Sequence, residues 1–229
     1  MASYIAPSPV QIRCQAILFD MDGILISSLG SVERSWTKYA LMRGLDPEST
    51  IEMAHGCRTI ETVARLCPNL DAEVELKVIE ELEIEDNEGL TVLPGVHELL
   101  DSLPQDRWTV VTSATERLAR SRMAAAGIPM PRHLVTADLV TRGKPHPEPF
   151  IAGAELLGFA PQECVVFEDS SAGAQAGRAA GCTVIATTFS HAVETLDAAH
   201  YLIRDVTGVT ATVLPAAQGL TLDFTPIAS

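Results

Sequence analysis

Two aspartates, Asp20 and Asp22, directly follow a short apolar run and are the first candidates for chemistry in this sequence. Residues i and i+2 of an extended chain point to the same side, so both carboxylates should face one space. Two carboxylates at such a short distance repel each other, so they need a cation or a shared proton. One could act as a nucleophile while the other moves protons, whereas a turn at a strand end is the structural alternative.

Two later segments suit the binding of a phosphate group. Thr112, Ser113 and Ala114 follow an apolar run, and small hydroxyls with free backbone N–H groups at a helix start favour an anion. Simple capping of that helix is the alternative. Lys144 lies in a proline-rich loop, GKPHPEPF, where it is either solvated or held near the carboxylates. In the second case it would neutralise a phosphoryl oxygen.

A second pair of acids, Glu168 and Asp169, follows another apolar run. Carboxylates at this place suit a hard cation such as Mg²⁺, although helix capping is again the alternative. No single motif decides between these interpretations. Their joint order along the chain indicates a Mg²⁺-dependent phosphoryl-transfer site with an aspartate nucleophile.

The elements that must position these residues are short apolar runs that alternate with segments of helical spacing. Such runs are typical of a parallel sheet covered on both faces, in an α/β fold of the doubly wound, Rossmann-like kind. Ligands in such folds bind at the carboxyl ends of the strands. The predicted strands are 16–19, 108–111, 164–167, 183–186 and 201–203, and the predicted helices between them are 96–103, 118–126, 150–157 and 172–180.

One interval breaks the alternation, because residues 30–93 contain helical patterns and no convincing strand. We therefore predict a core of residues 1–29 and 94–229 and a helical insertion of residues 30–93. The insertion contains an acidic run at 71–88, which we expect to be a solvated helical face. Short tails at both ends are expected to be loosely ordered.

The charge balance restricts the partners of the chain. Its 229 residues include 16 Lys and Arg against 30 Asp and Glu, a formal net charge of −14. Nucleic acids and anionic membranes require a basic face, so we expect neither as a partner. A small anionic ligand stays compatible with this charge, because one metal ion and a few cations can reverse the field inside a pocket.

The five cysteines form no CxxC pair, and the first residues lack the apolar segment of a signal peptide. Reduced thiols fit the cytoplasm, where we expect the protein to act as a monomer. No run of about 18 apolar residues is present that could cross a membrane.

The sequence resembles the haloacid dehalogenase-like hydrolase superfamily in four motifs that occur in family order: FDMDG, VVTSAT, GKPHPEPF and VVFEDSSAGAQAGRAAGC. The resemblance implies a helical cap domain inserted after the first strand, which agrees with the interval 30–93. More narrowly, HGCRTIETV in that interval is similar to a segment of the phosphatases of sugar and polyol phosphates. The resemblance therefore implies a small phosphate ester as the substrate.

The resemblance also implies a role for each acidic residue. Asp20 matches the nucleophile that becomes phosphoaspartate, and Asp22 matches the general acid and base. The Mg²⁺ contacts of the family match Asp20, the backbone carbonyl of Asp22 and the side chain of Asp169. Glu168, next to Asp169, is a further candidate for this metal site.

Phosphate and substrate contacts follow from the same resemblance. Ser113 is favoured within the hydroxyl position spanned by residues 112–114, and Lys144 matches the phosphate-binding lysine. Relatives often have a cis bond before the next proline, so we expect a cis Lys144–Pro145 bond. In the cap, His55 and Arg58 are substrate-contact candidates, although His55 could be a packing residue and Arg58 could simply pair with a nearby glutamate.

Three other functions remain as alternatives. A phosphoglucomutase of similar fold uses the same aspartate pair. A dehalogenase also uses an aspartate nucleophile but needs neither the second aspartate nor Mg²⁺, so Asp22 and Asp169 argue against it. A catalytically silent sugar-phosphate binder would not need a nucleophile together with a proton shuttle.

Overall fold

The computed structural model describes residues 8–54, 57–215 and 218–227. The strands are β1 (Val10–Cys14), β2 (Ala16–Phe19), β3 (Ile26–Ser27), β4 (Thr91–Val92), β5 (Trp108–Val111), β6 (Leu134–Val135), β7 (Cys164–Glu168), β8 (Thr183–Thr187), β9 (Tyr201–Ile203), β10 (Thr210–Val213) and β11 (Leu220–Phe224). The helices are α1 (Leu29–Arg43), α2 (Pro47–Ala54), α3 (Thr59–Leu66), α4 (Ala72–Glu85), α5 (Val96–Asp101), α6 (Glu116–Ala126), α7 (Glu148–Leu157) and α8 (Ser171–Ala180). None of these described helices is long and apolar enough to cross a bilayer.

A six-stranded parallel sheet forms the centre of the fold, with the strand order β6-β5-β2-β7-β8-β9. The first strand of this sheet in the sequence, β2, lies in its middle, and the chain crosses over to β5 on one side and to β7 on the other. This order confirms the predicted doubly wound α/β class. All five predicted strands are present, because each is a short apolar run bounded by turn residues, and the runs of β2, β5 and β7 are buried at every position.

The two faces of the sheet carry separate parts of the core. On one face, Ile17 and Phe19 of β2 pack with Trp108 and Phe167 in a cluster that also includes residues of α5 and α6. The alternate residue Leu18 packs on the opposite face against Phe150 of α7 and residues of α8. Successive side chains of a strand point to opposite faces, so a strand buried on both sides must be apolar at every position. This burial fixes the sheet edge from which the polar residues project.

A second, antiparallel sheet was not predicted. β11 pairs with β1 on one side and with β10 on the other. The expectation of loosely ordered tails is therefore wrong for β1 and for β11, whose Leu220 and Leu222 are fully buried. This sheet could not be predicted from local patterns, because the β1–β11 pairing joins residues more than 200 positions apart. In addition, β1 alternates between exposed and half-buried residues instead of being uniformly apolar.

Helices α1 to α4 occupy most of the interval 30–93 and share a core of their own, centred on Trp36, Tyr39, Val63 and Ile79. The short strands β3 and β4 pair with each other where the chain enters and leaves these helices. Strand β4 corrects the expectation that this interval contains no strand. It was missed because two residues are too few to show an alternating pattern.

The acidic run on α4 is not a uniformly solvated face. Glu75, Glu80 and Glu83 are buried, and each is bound to a cation from another helix. Their partners, at N–O distances of 2.6, 2.9 and 3.2 Å, are Arg43, Arg117 and Arg122, respectively. The prediction is wrong for these three residues because a buried acid needs a paired charge, and the three arginines are distant in sequence.

Candidate active site

One cavity brings the predicted site residues together at the carboxyl ends of the central strands. Asp20 follows β2, Thr112 follows β5, and Glu168 ends β7; all three line the cavity with Asp169 and Lys144. The backbone N–H of Asp20 donates to the carbonyl of Phe167 at 2.9 Å, which continues the strand pairing one residue further. The parallel sheet therefore places these chemically active groups at a single edge.

Lys144 is at the centre of the site and its side chain is only 3% exposed. Its Nζ donates to Asp20 Oδ1 at 2.7 Å, to Glu168 Oε1 at 2.6 Å and to the Val111 carbonyl at 3.0 Å. The Lys144–Pro145 bond is cis, which confirms that prediction. Three acceptors use all three protons of the ammonium group, so its position against Asp20 is fixed.

Both carboxylate oxygens of Glu168 are committed to groups of the protein. Oε1 accepts from Lys144, and Oε2 accepts from the backbone N–H groups of Asp169 and Ser170 at 2.8 and 2.9 Å and from the Ser170 hydroxyl at 2.9 Å. Burial alone raises the pKa of Glu168, but Lys144 and Ser170 more than offset this and keep the pKa below its usual value. Glu168 is therefore a fixed anion that holds Lys144 in place.

Negative charge exceeds positive charge around the nucleophile candidate. Carboxylate oxygens of Asp20, Glu168 and Asp169 lie within 4.8 Å of one another, and Lys144 is the cation they share. Burial, together with the charge of Glu168, raises the pKa of Asp20 to about 7 despite the opposing effect of Lys144. Burial and its acidic neighbours also raise the pKa of Asp169 well above the usual value. Clustered carboxylate oxygens with an unbalanced charge fit a hard divalent cation.

Gly23 allows Asp169 to approach the first aspartate motif. Gly23 has a φ of +79°, and a Cβ atom there would lie 1.8 Å from Asp169 Oδ2. Ser190, which follows β8, donates a short hydrogen bond to the same Oδ2 atom. Ser190 and His191 also line the cavity, and sequence reasoning missed both. Their position just beyond a predicted strand was the signal that could have found them.

Asp22 lines the same cavity but has a different partner from Asp20. Arg122 of α6 donates through Nη1 to both Asp22 oxygens at 3.0 Å and through Nη2 to Glu83 of α4 at 3.2 Å. The Arg122 and Glu83 side chains are each 4% exposed. Neither residue could be identified as a site residue from the sequence, because α6 carries several arginines and no local pattern marks Arg122 as buried.

In the segment after β5, one residue caps helix α6 and other residues line the cavity. Thr115 caps α6 by accepting a hydrogen bond from the backbone N–H of Leu118 at 3.3 Å. Thr112, Ser113 and Ala114 line the cavity, and Ser113 is half-buried there. Capping, the structural alternative for this segment, is performed by Thr115. The backbone N–H of Thr112 donates to the Val135 carbonyl at 2.9 Å and that of Ala114 to the Thr112 hydroxyl at 3.1 Å, so Ser113 is the residue best placed to meet a ligand.

The two cap candidates have different outcomes. His55 lies outside the described residues. Arg58 donates to the carbonyls of Ala137 and Thr141 at 2.9 Å each, and it pairs with Glu61 at 3.2 Å. These bonds connect the start of α3 to the loop that precedes Lys144. Arg58 lines a neighbouring cavity with Ser113 instead of the cavity around Asp20.

Comparisons with known proteins assign the chain to a family. The model of the family described as haloacid dehalogenase-like hydrolase matches residues 17–187, so the chain belongs to this family. The chain is 40% identical over 208 residues to hexitol phosphatase A of Escherichia coli (strain K12), covering 89% of this chain and 96% of that protein. It is 35% identical over 199 residues to glycerol-1-phosphate phosphohydrolase 2 of Saccharomyces cerevisiae, covering 81% of this chain and 80% of that protein.

A solved structure supports the same fold. The crystal structure of a hydrolase from Pseudomonas syringae superimposes with a TM-score of 0.73 at 23% identity, covering 84% of this chain and 94% of that chain. The resemblance predicted from the four motifs is thereby confirmed at the level of the family and the fold.

Proposed function

We propose that this protein is a Mg²⁺-dependent phosphatase that hydrolyses a small sugar or polyol phosphate through a phosphoaspartate on Asp20. The observation that carries the proposal is the Asp20 carboxylate held by Lys144 at the carboxyl edge of the sheet, among more acids than one lysine can neutralise. Membership in a hydrolase family and similarity to two phosphatases support it.

Asp20 attacks the phosphorus atom in the first step. Lys144 engages Oδ1 of Asp20, which leaves the other oxygen for the attack. The new bond joins Asp20 to phosphorus, and the bond from phosphorus to the ester oxygen breaks. Asp22, in its protonated form, gives its proton to the departing oxygen, so the product leaves as a neutral alcohol.

Water hydrolyses the phosphoaspartate in the second step. Asp22, now ionised, takes a proton from the water, whose oxygen attacks phosphorus and releases Asp20. Arg122 Nη1 donates to both Asp22 oxygens at 3.0 Å, which fixes the position of the carboxyl group that exchanges this proton. Covalent catalysis thus divides one difficult displacement into two easier ones.

The acidic cluster fits Mg²⁺ by the chemistry of its donors, which are all oxygens. We propose that the side chains of Asp20 and Asp169 and the backbone carbonyl of Asp22 would hold the ion, which when bound would supply Lewis-acid stabilisation of phosphoryl oxygens. Glu168 belongs to the same cluster. Since both of its oxygens already accept hydrogen bonds, we propose that Glu168 orients Lys144 and is not a direct ligand.

The hydroxyl and backbone N–H of Ser113 would bind equatorial oxygens of the transferred phosphoryl group, and the charge of Lys144 would stabilise these oxygens electrostatically. The helices of residues 30–93 would form the cap that closes over the substrate and limits the access of water. In this arrangement Arg58 docks the cap onto the core, while the role of His55, the monomeric state and the cytoplasmic location stay predictions from the sequence.

Phosphate release from a panel of esters tests the proposed function. We expect Mg²⁺-dependent release from hexose, pentose, hexitol or glycerol phosphates, its loss in EDTA and its recovery when Mg²⁺ is restored. Product analysis with glucose 1-phosphate separates hydrolysis from mutase activity, since a mutase would form glucose 6-phosphate instead of free phosphate. If no ester in the panel releases phosphate at saturating Mg²⁺, the proposed function is wrong.

A further inference from the structure

The part of the active-site cavity away from Asp20 has a mostly apolar wall. Residues of the cap and of α6 form this wall, and they include Leu29, Val32, Trp36, Ala54 and Leu118. Glu83 and Arg122 interrupt it with two charged groups, although both residues are buried, at 4% and 3% exposed. A charged pair is costly to bury, so its presence in an apolar wall calls for a physical reason.

This pair is incompletely satisfied within the described residues. Glu83 Oε1 accepts from Arg122, but Glu83 Oε2 and Arg122 Nε are buried atoms with no hydrogen-bond partner there. Burial raises the pKa of Glu83, and Arg122 and the nearby indole of Trp36 oppose this rise, although no hydrogen bond of normal geometry reaches Oε2. Glu83 lines the cavity, and its unpaired oxygen is a vacant acceptor that costs free energy until a donor reaches it.

The position of Glu83 relative to Asp22 indicates which donor can reach it. Arg122 binds Asp22 through one terminal nitrogen and Glu83 through the other, so a single guanidinium group separates the two carboxylates. Under the proposed function, Asp22 contacts the ester oxygen of the leaving group. Glu83 then lies within reach of substituents on the neighbouring carbon atoms of that leaving group.

We propose that Glu83 Oε2 accepts a hydrogen bond from a hydroxyl group of the leaving alcohol and thereby selects neutral, hydroxylated phosphate esters. This inference rests on the proposed function and names the residue that selects the substrate class. A plain alkyl phosphate leaves the acceptor unpaired. A carboxylated ester is disfavoured further, because it brings a second anion to a buried one. Arg122 is shared by Asp22 and Glu83, which keeps both acids in place beside the leaving group.

Three esters of similar size provide the test: glycerol 1-phosphate, propyl phosphate and phosphoglycerate, in which a carboxylate replaces the terminal hydroxymethyl group. We expect the wild-type kcat/KM for glycerol 1-phosphate to exceed that for either of the others by about tenfold or more, the scale of a lost charged hydrogen bond. In Glu83→Leu, the ratio of glycerol 1-phosphate to propyl phosphate should fall to near unity. In Glu83→Gln, which keeps an acceptor but loses the charge, mainly the discrimination against phosphoglycerate should fall.

The matched control is Glu85→Gln, because Glu85 is exposed on the same helix and its replacement removes the same charge. Its ratios should equal those of the wild type. Ratios are internal to each protein, so they do not depend on the fraction of a variant that folds.

Each outcome addresses a different statement. Turnover of all three esters at similar kcat/KM by the wild type would overturn the selection by Glu83 and leave the phosphatase proposal intact, even if no variant folds. Unchanged kcat/KM ratios in Glu83→Leu would also overturn the selection by Glu83 and leave the phosphatase proposal intact. Absence of turnover of every phosphate ester by the wild type would overturn the proposed function itself.

Discussion

The Asp20→Asn variant is expected to lose phosphate release by about 10⁴-fold or more, the scale seen when a catalytic nucleophile is removed. An amide is a poor nucleophile, and it also lacks the charge that balances Lys144. Asparagine has nearly the same shape, and its side-chain oxygen can still accept the 2.7 Å hydrogen bond from Lys144. The variant should therefore fold. Phosphate release at saturating Mg²⁺, together with thermal unfolding, measures both effects.

Asp101→Asn is the matched control for this experiment, because Asp101 is exposed at the end of α5, outside the cavity. It should retain wild-type turnover. Mg²⁺-dependent release of phosphate by Asp20→Asn at more than a few per cent of the wild-type rate would show that Asp20 is not the nucleophile.

The Lys144→Met variant is expected to lose both activity and stability. Methionine keeps a stem of similar length but leaves Asp20 and Glu168 as buried acids without their shared cation. Removal of one partner from a buried ion pair typically costs about 3–5 kcal/mol. Without Mg²⁺, the free energy of unfolding in urea should fall by an amount of this order. Turnover should fall as well, because the variant loses the cation that fixes Asp20 and helps to neutralise a phosphoryl oxygen.

Arg142→Met provides the comparison, since Arg142 is two residues away and pairs with Glu148 while its side chain is 66% exposed. An exposed pair contributes about 0–1 kcal/mol, so this variant should be nearly as stable as the wild type. The double variant Lys144→Met/Glu168→Gln should recover part of the stability lost in Lys144→Met, because it removes one of the unpaired buried charges. Equal stability of Lys144→Met and the wild type would contradict the structural role assigned to Lys144.

The central sheet could be predicted because its information is local. The central strands are runs that are buried on both faces, and the polar residues that follow a run mark the functional edge. Asp20 and Asp169 were found in this way and Lys144 from its proline-rich loop, and the structure brings all three to one cavity. The parallel topology then brings these residues together, because strands that are far apart in sequence end at the same edge of the sheet.

The missed features depend on partners that the sequence does not reveal. Glu83 and Arg122 are 39 residues apart on helices of different regions, and each resembles a surface residue in its local pattern. Glu80 likewise pairs with Arg117 across the same helix contact. Burial of these charges follows from the way α4 packs on α6, which helical periodicity alone does not determine.

Trapping of the phosphorylated enzyme tests the central claim most directly. The protein is mixed with an aryl phosphate and Mg²⁺, quenched in acid within the first turnover, digested and analysed by mass spectrometry. We expect one phosphoryl group on the peptide that contains Asp20, and none on this peptide in the Asp20→Asn variant or without Mg²⁺. Steady phosphate release by the wild type with the phosphoryl group on a different residue would contradict the mechanism.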